Sequence, residues 1–174
     1  MVDAIISSPP YLNAIDYFRG HRLALVWLGY GLKDIRSIQS VSIGTEKAAR
    51  TAPSDIITEW LEAAFDQNGG LLRRERGMLQ RYAEDVSSMI RETKRMLKPD
   101  GRMTLIVGNS RLQDVFIENA KIVELAARAI GFRVLKSTTR DLLAANRYLP
   151  ISRSTEPCAL DKRMKEEVIL TFAA

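Results

Sequence analysis

The sequence predicts an α/β fold, and three observations predict it. Four short runs, Asp3–Ser7, Met103–Val107, Phe132–Leu142 and Glu167–Phe172, have strand length and content. The stretches between them carry apolar residues at helical spacing. Glycine and proline punctuate the joins.

Asp3–Ser7 is apolar and stops at Pro9-Pro10, where two backbone donors are missing and φ is locked. Residues 17–28 read as a helix, with Gly29 and Gly31 as stop signals. The stretch 32–53 is polar and reads as irregular, a candidate insertion and substrate contact. Ser54-Asp55 can cap a helix carrying Ile56, Ile57, Trp60, Leu61 and Ala64, which Asn68-Gly69-Gly70 breaks. A long amphipathic helix follows over 71–97, with Met78, Leu79, Tyr82, Val86, Met89 and Ile90 on its apolar side. Lys98-Pro99-Asp100-Gly101 predicts a helix-to-strand turn, and the Met103–Val107 run then predicts a buried parallel strand ending at Gly108-Asn109-Ser110. A helix over 117–130 closes at Gly131, and the last two strands follow with a short link that predicts an antiparallel pair. The order implies one domain over 1–174, parallel in its first part.

Composition narrows the function classes. With 46% hydrophobic and 27% charged residues the chain is expected to be globular. No apolar run approaches the about 18–20 residues of a membrane span, and the first residues lack the basic start and apolar stretch of a signal peptide. One cysteine excludes an internal disulfide, and one histidine argues against a zinc centre. A cytoplasmic, metal-free protein is the expectation. The net charge of +5 favours a polyanionic partner, nucleic acid in particular, although many soluble domains carry such an excess.

Ser8-Pro9-Pro10-Tyr11 carries the chemistry. In an open α/β sheet, ligands bind beyond the carboxyl ends of strands, where this tetrapeptide falls. Methylating an exocyclic base amine requires its lone pair, delocalised into the ring, to be aimed at a methyl carbon. Two acceptors on the amine hydrogens do this, and the Ser8 hydroxyl and Pro9 carbonyl can supply them. Tyr11 offers a face on which an extruded base can stack. A plain turn or a polyproline ligand is the alternative, which the preceding buried-type strand disfavours.

Ile5-Ile6-Ser7-Ser8-Pro9-Pro10-Tyr11 resembles motif IV of the S-adenosylmethionine-dependent amino-methyltransferases. Its serine form looks most like the N4-cytosine DNA enzymes; an aspartate there is commoner among N6-adenine enzymes. Leu97–Arg102 running into Met103–Ser110 is similar to the family's fifth strand and its approach, and Ile130-Gly131-Phe132 followed by Asn146–Pro150 to the tail of the same fold. The resemblance implies a Rossmann-like methyltransferase fold, S-adenosylmethionine as cofactor, DNA as partner, and Ser8, Pro9, Pro10 and Tyr11 as catalytic. It implies that Asn146-Arg147 sits near the substrate side, and Asn13, Arg19, His21 and Asn109 are further candidate substrate contacts. Alternative substrates are RNA guanine or a protein amide, and a non-catalytic alternative is a truncated nucleic-acid-binding remnant.

The resemblance also defines a gap. The family's aromatic-x-Gly-x-Gly cofactor loop follows its first strand, whereas Gly29-Tyr30-Gly31 follows a helix and reads better as its cap. Cofactor-binding residues are therefore unassigned, beyond Ser8 and Tyr11 lining the pocket. The expectation is a partial fold, strands four to seven in the order 4-5-7-6. Asp3–Ser7 would then be an open edge, to be covered by a second copy or a complementing chain. Weak cofactor binding by the chain alone is expected.

Other candidates are weaker. Cys158 follows a proline, as in C5-cytosine enzymes, but lies in a polar stretch. His21 with Arg19 and Arg22 could contact phosphate or form a solvated helix face. The same choice holds for Arg73, Arg74, Arg76 and Arg81. Asp16 is a better helix cap than a substrate contact, and Trp27 and Trp60 are expected in the core.

Overall fold

The computed structural model describes residues 1–12, 17–40, 42–43, 55–67, 73–112, 115–142 and 166–174. Four strands, β1 (Val2–Ser7), β2 (Leu97–Gly108), β5 (Arg133–Asp141) and β6 (Glu166–Ala173), form one sheet in the order β1-β2-β6-β5. That is the expected 4-5-7-6 arrangement. Strand β2 runs parallel to β1, and β6 runs antiparallel to both β2 and β5. The parallel strands β1, β2 and β5 thus end at one edge of the sheet, where β6 begins.

Register explains the core. Ile5 pairs with Met103, Met103 with Phe172, and Phe172 with Val134, so one row of apolar side chains crosses all four strands. Leu105 and Leu170 continue this face two residues on. Helices α4 (Arg73–Met96) and α5 (Asn119–Ala129) cover it. Leu79, Tyr82, Val86 and Ile90 come from α4 and Ile122, Val123, Ala126 and Ala127 from α5, all buried. These recur at three- and four-residue intervals, the spacing of one helix face. Helix α3 (Asp55–Gln67) adds Ile57 and Leu61. Among the described residues, no helix is long and apolar enough to cross a membrane.

Both glycine stops behave as predicted. Gly29 and Gly131 have φ near +88°, the left-handed conformation that closes a helix at low steric cost. After α1 (Tyr17–Trp27), the amides of Gly29 and Tyr30 bond the carbonyls of Val26 and Leu25; after α5, those of Gly131 and Phe132 bond Arg128 and Ala127. This is the paired 5→2 and 6→1 pattern of the Schellman motif. Gly29-Tyr30-Gly31 is a helix cap.

Four expectations need correction. The stretch 32–53 is not irregular throughout, because Leu32–Ser40 forms helix α2. The Asp34 carboxylate accepts the Gly31 amide at its start, and Ile35 is buried, so a short helix forms in a polar sequence. Lys98-Pro99-Asp100-Gly101 is no free turn. It is a bulge within β2, since Val2 faces Leu97 while Ala4 already faces Arg102. Trp27 is 85% exposed, because α1 packs chiefly on α2 and not on the sheet. Arg81 is buried, with Glu75 and Glu84 of the same helix, and is neither solvated nor available to a nucleic-acid backbone. A small hairpin, β3 (Ser110–Leu112) with β4 (Val115–Ile117), precedes α5 and was not legible.

Candidate functional site

Strand β1 delivers the Ser-Pro-Pro-Tyr segment to the edge where β1, β2 and β5 end. Pro9 is buried and Leu12 is fully within the core, so the segment is anchored on both sides of Pro10. Ser8 stays exposed at the sheet edge. Rigid φ angles at the two prolines hold this short path from strand to core.

The Ser8 hydroxyl donates to the Ile106 carbonyl oxygen of β2 at 3.2 Å and lies 3.0 Å from the Tyr11 hydroxyl. Tyr11 donates in turn to Glu167 Oε1 over a long 3.4 Å. The second oxygen of Glu167 takes an ion pair from Arg140 of β5. Arg140 and Glu167 are register partners across the two strands. A polar chain therefore runs along this sheet edge, from the end of β1 through β6 to β5. With its own proton on Ile106, Ser8 Oγ keeps lone pairs to offer an incoming N–H.

Behind this chain lies Tyr82 of α4. It is fully buried, and among the described residues its hydroxyl has no hydrogen-bond partner. Burial, with a smaller contribution from neighbouring Tyr11, pushes its ionisation well above the ordinary tyrosine range.

The structure places the remaining sequence candidates unevenly. Asn109 follows β2 at the same edge, but its Oδ1 accepts the Ala120 amide at 3.2 Å and so serves the start of α5. Asn119 reaches back from α5 to the Gly108 carbonyl and Ser110 hydroxyl. His21 sits exposed on α1, and Arg19 lies on the same helix. Asn13, Asp16, Asn146, Arg147 and Cys158 lie outside the described residues. Among the described residues, no cluster of metal-ligating side chains occurs.

Ile106, Glu167 and Arg140 were not singled out from sequence. A signal for Glu167 existed. An acidic residue opens an otherwise apolar last strand, and an antiparallel last strand must begin where its neighbour ends. The contribution of Ile106 is a backbone carbonyl, which no side-chain pattern reports.

No family profile matches the chain. Sequence relatives exist nonetheless. The type II methyltransferase M.AvaI of Nostoc sp. (strain PCC 7120 / SAG 25.82 / UTEX 2576) is 27% identical over 157 residues, covering 77% of this chain and 31% of the relative. The type II methyltransferase M.BsoBI of Geobacillus stearothermophilus is 25% identical over 165 residues, covering 79% and 32%. Among solved structures, a Thermus thermophilus protein provisionally described as a DNA modification methylase aligns over 99% of this chain and 45% of its own, with a TM-score of 0.45 and 16% identity. The chain spans about a third of the length of the curated relatives it matches. Over most of its own length, this chain is similar in sequence to type II methyltransferases, in agreement with its Ser-Pro-Pro-Tyr motif.

Proposed function

We propose that Ser8-Pro9-Pro10-Tyr11 binds and aims an exocyclic DNA base amine for methylation from S-adenosylmethionine, N4 of cytosine ahead of N6 of adenine. The observation that carries this reading is the Ser8 hydroxyl, exposed at the ligand edge with its proton given to Ile106 and its lone pairs left to accept. The sequence similarity to type II methyltransferases supports the reaction class. The net charge of +5 supports a nucleic-acid substrate. Serine at the head of the motif supports cytosine.

The residues present suit the cofactor's charge. Ser8 Oγ, the Ile106 carbonyl and the Glu167 carboxylate make an acceptor-rich edge, compatible with a sulfonium cation and with amine hydrogens. S-adenosylmethionine supplies the electrophilic methyl group when bound. Its glycine loop is a different matter, since Gly29-Tyr30-Gly31 is committed to closing α1 and Gly31 to Asp34. The chain's own part is to accept the amine hydrogens at Ser8 and Pro9, localise the nitrogen lone pair, and stack the base on Tyr11. Direct attack of nitrogen on the methyl carbon needs no protein nucleophile.

The test is methyl transfer from radiolabelled S-adenosylmethionine to duplex DNA, followed by nucleoside analysis. It is run with the chain alone and with the polypeptide encoded immediately upstream. N4-methylcytosine is the expected product. N6-methyladenine would reassign the base, and label recovered in RNA or protein would reassign the substrate. Transfer in neither arm would favour a non-catalytic nucleic-acid-binding role.

A further inference from the structure

We propose that Glu167, held by Arg140, is a positioning residue that sets the direction of the hydrogen-bond chain ending at Ser8. The proposal rests on the amine-methylating reading of the site. Three hydroxyl or carboxyl groups lie in sequence, Ser8 Oγ to Tyr11 at 3.0 Å and Tyr11 to Glu167 Oε1 at 3.4 Å. Each hydroxyl has one proton to give. A carboxylate can only accept, so Glu167 draws the Tyr11 proton toward itself. Tyr11 then accepts from Ser8 rather than donating to it, and the single Ser8 proton is shared between the Tyr11 oxygen and the Ile106 carbonyl. Both Ser8 lone pairs remain for the substrate amine.

Arg140 makes the direction testable. It is a pure donor and bonds Glu167 Oε2. In Glu167→Gln, Arg140 selects the amide oxygen and leaves the amide NH2 facing Tyr11. The phenol then accepts from the amide, and its own proton becomes available to Ser8 at 3.0 Å, where it competes with the amine for a lone pair. The side chain keeps its size, and only the polarity reverses. Glu167 is mostly buried, its side chain 13% exposed, so bulk water competes little for the contact. A cross-strand ion pair that merely ties β5 to β6 would also explain Glu167 and Arg140, but it makes no use of Tyr11.

The test is a double-mutant cycle on the full chain, assayed by the same labelled methyl transfer, with a second readout that needs no turnover. Glu167→Gln is expected to lower kcat about tenfold with KM for DNA unchanged, the scale of one charge-assisted hydrogen bond. In a Tyr11→Phe background the same change is expected to cost nothing further. In protein carrying 13C at tyrosine Cζ, the Tyr11 resonance, assigned by its loss in Tyr11→Phe, is expected to shift in Glu167→Gln. Equal losses of kcat in both backgrounds, or an unmoved Tyr11 resonance in a folded variant, would overturn the proposal in favour of a structural ion pair. Absence of transfer by the unmutated protein in both arms of the earlier assay would instead count against the function proposed above, while the resonance still reports the chain's direction.

Discussion

Ser8 Oγ lies 3.2 Å from the Ile106 carbonyl oxygen, a contact between residues 98 apart in sequence that joins the motif to the neighbouring strand. Strand β1 pairs with β2 in parallel register up to Ser7 opposite Leu105, so the next residue of each strand meets just beyond the ladder.

The first prediction follows from that contact. Ser8→Ala removes an acceptor for the amine and is expected to lower methyl transfer about a hundredfold, the usual scale for losing one preorganised polar contact. Because Ser8 is exposed, the melting temperature is expected to stay within a few degrees of the parent. Undiminished transfer would remove Ser8 from the chemistry.

Tyr82 yields a prediction of opposite sign. Its buried hydroxyl lacks a partner among the described residues, so Tyr82→Phe is expected to raise unfolding free energy by about 1 kcal/mol in urea titrations. The phenol's ionisation is raised in the folded state. Its contribution to stability is therefore complete below the unfolded value of 10.0 and is lost as pH climbs above it. Between about pH 10 and 11 the parent is expected to lose stability faster than Tyr82→Phe, by about 1 kcal/mol. Parallel curves would show that the phenol ionises freely.

Lys94 and Gly131 yield a third. Lys94 Nζ donates to the carbonyls of Ile130 and Gly131 at 2.9 Å and lies over the Phe132 ring, 5.3 Å from its centroid. A cation there complements the carboxyl end of α5. Lys94→Met is expected to cost about 1–2 kcal/mol, read by chemical denaturation. Gly131→Ala is expected to cost a similar amount, since φ is +88° and the new methyl carbon would sit 2.8 Å from Lys94 Nζ.

Gly101, inside the β2 bulge, is the fourth. A Cβ there would lie 2.9 Å from the Lys98 carbonyl oxygen and 2.9 Å from Leu97 Cδ2. Backbone cannot yield as a side chain can, so Gly101→Ala is expected to destabilise by about 1–3 kcal/mol. Thermal unfolding checks this, and a neutral result would mean that the bulge re-forms without the clash.

Much of this molecule was legible because its determinants are local. Apolar alternation, helical spacing and the glycine stops at Gly29 and Gly131 act within a few residues, so strands, helices and caps could be placed from sequence. The motif Ser8-Pro9-Pro10-Tyr11 was legible for the same reason, and the strand order followed from the resemblance it carries. Helix α2 escaped because its signal is one buried isoleucine and one aspartate cap in a polar stretch. Trp27 misled because an apolar face says that a helix wants cover, not that the sheet provides it.

By itself, then, the sequence determined the elements, their class and the residues with the chemical capacity to hold an amine. Tertiary structure decided which partners those residues meet. Ile106 meets Ser8 because β1 pairs with β2 in parallel, and Glu167 and Arg140 join Tyr11 because an antiparallel β6, inserted between β2 and β5, starts where its neighbours end. Hydrogen bonds reach about 3 Å in space and are blind to separation along the chain, so contacts between residues more than a hundred positions apart become visible only when the sheet is assembled.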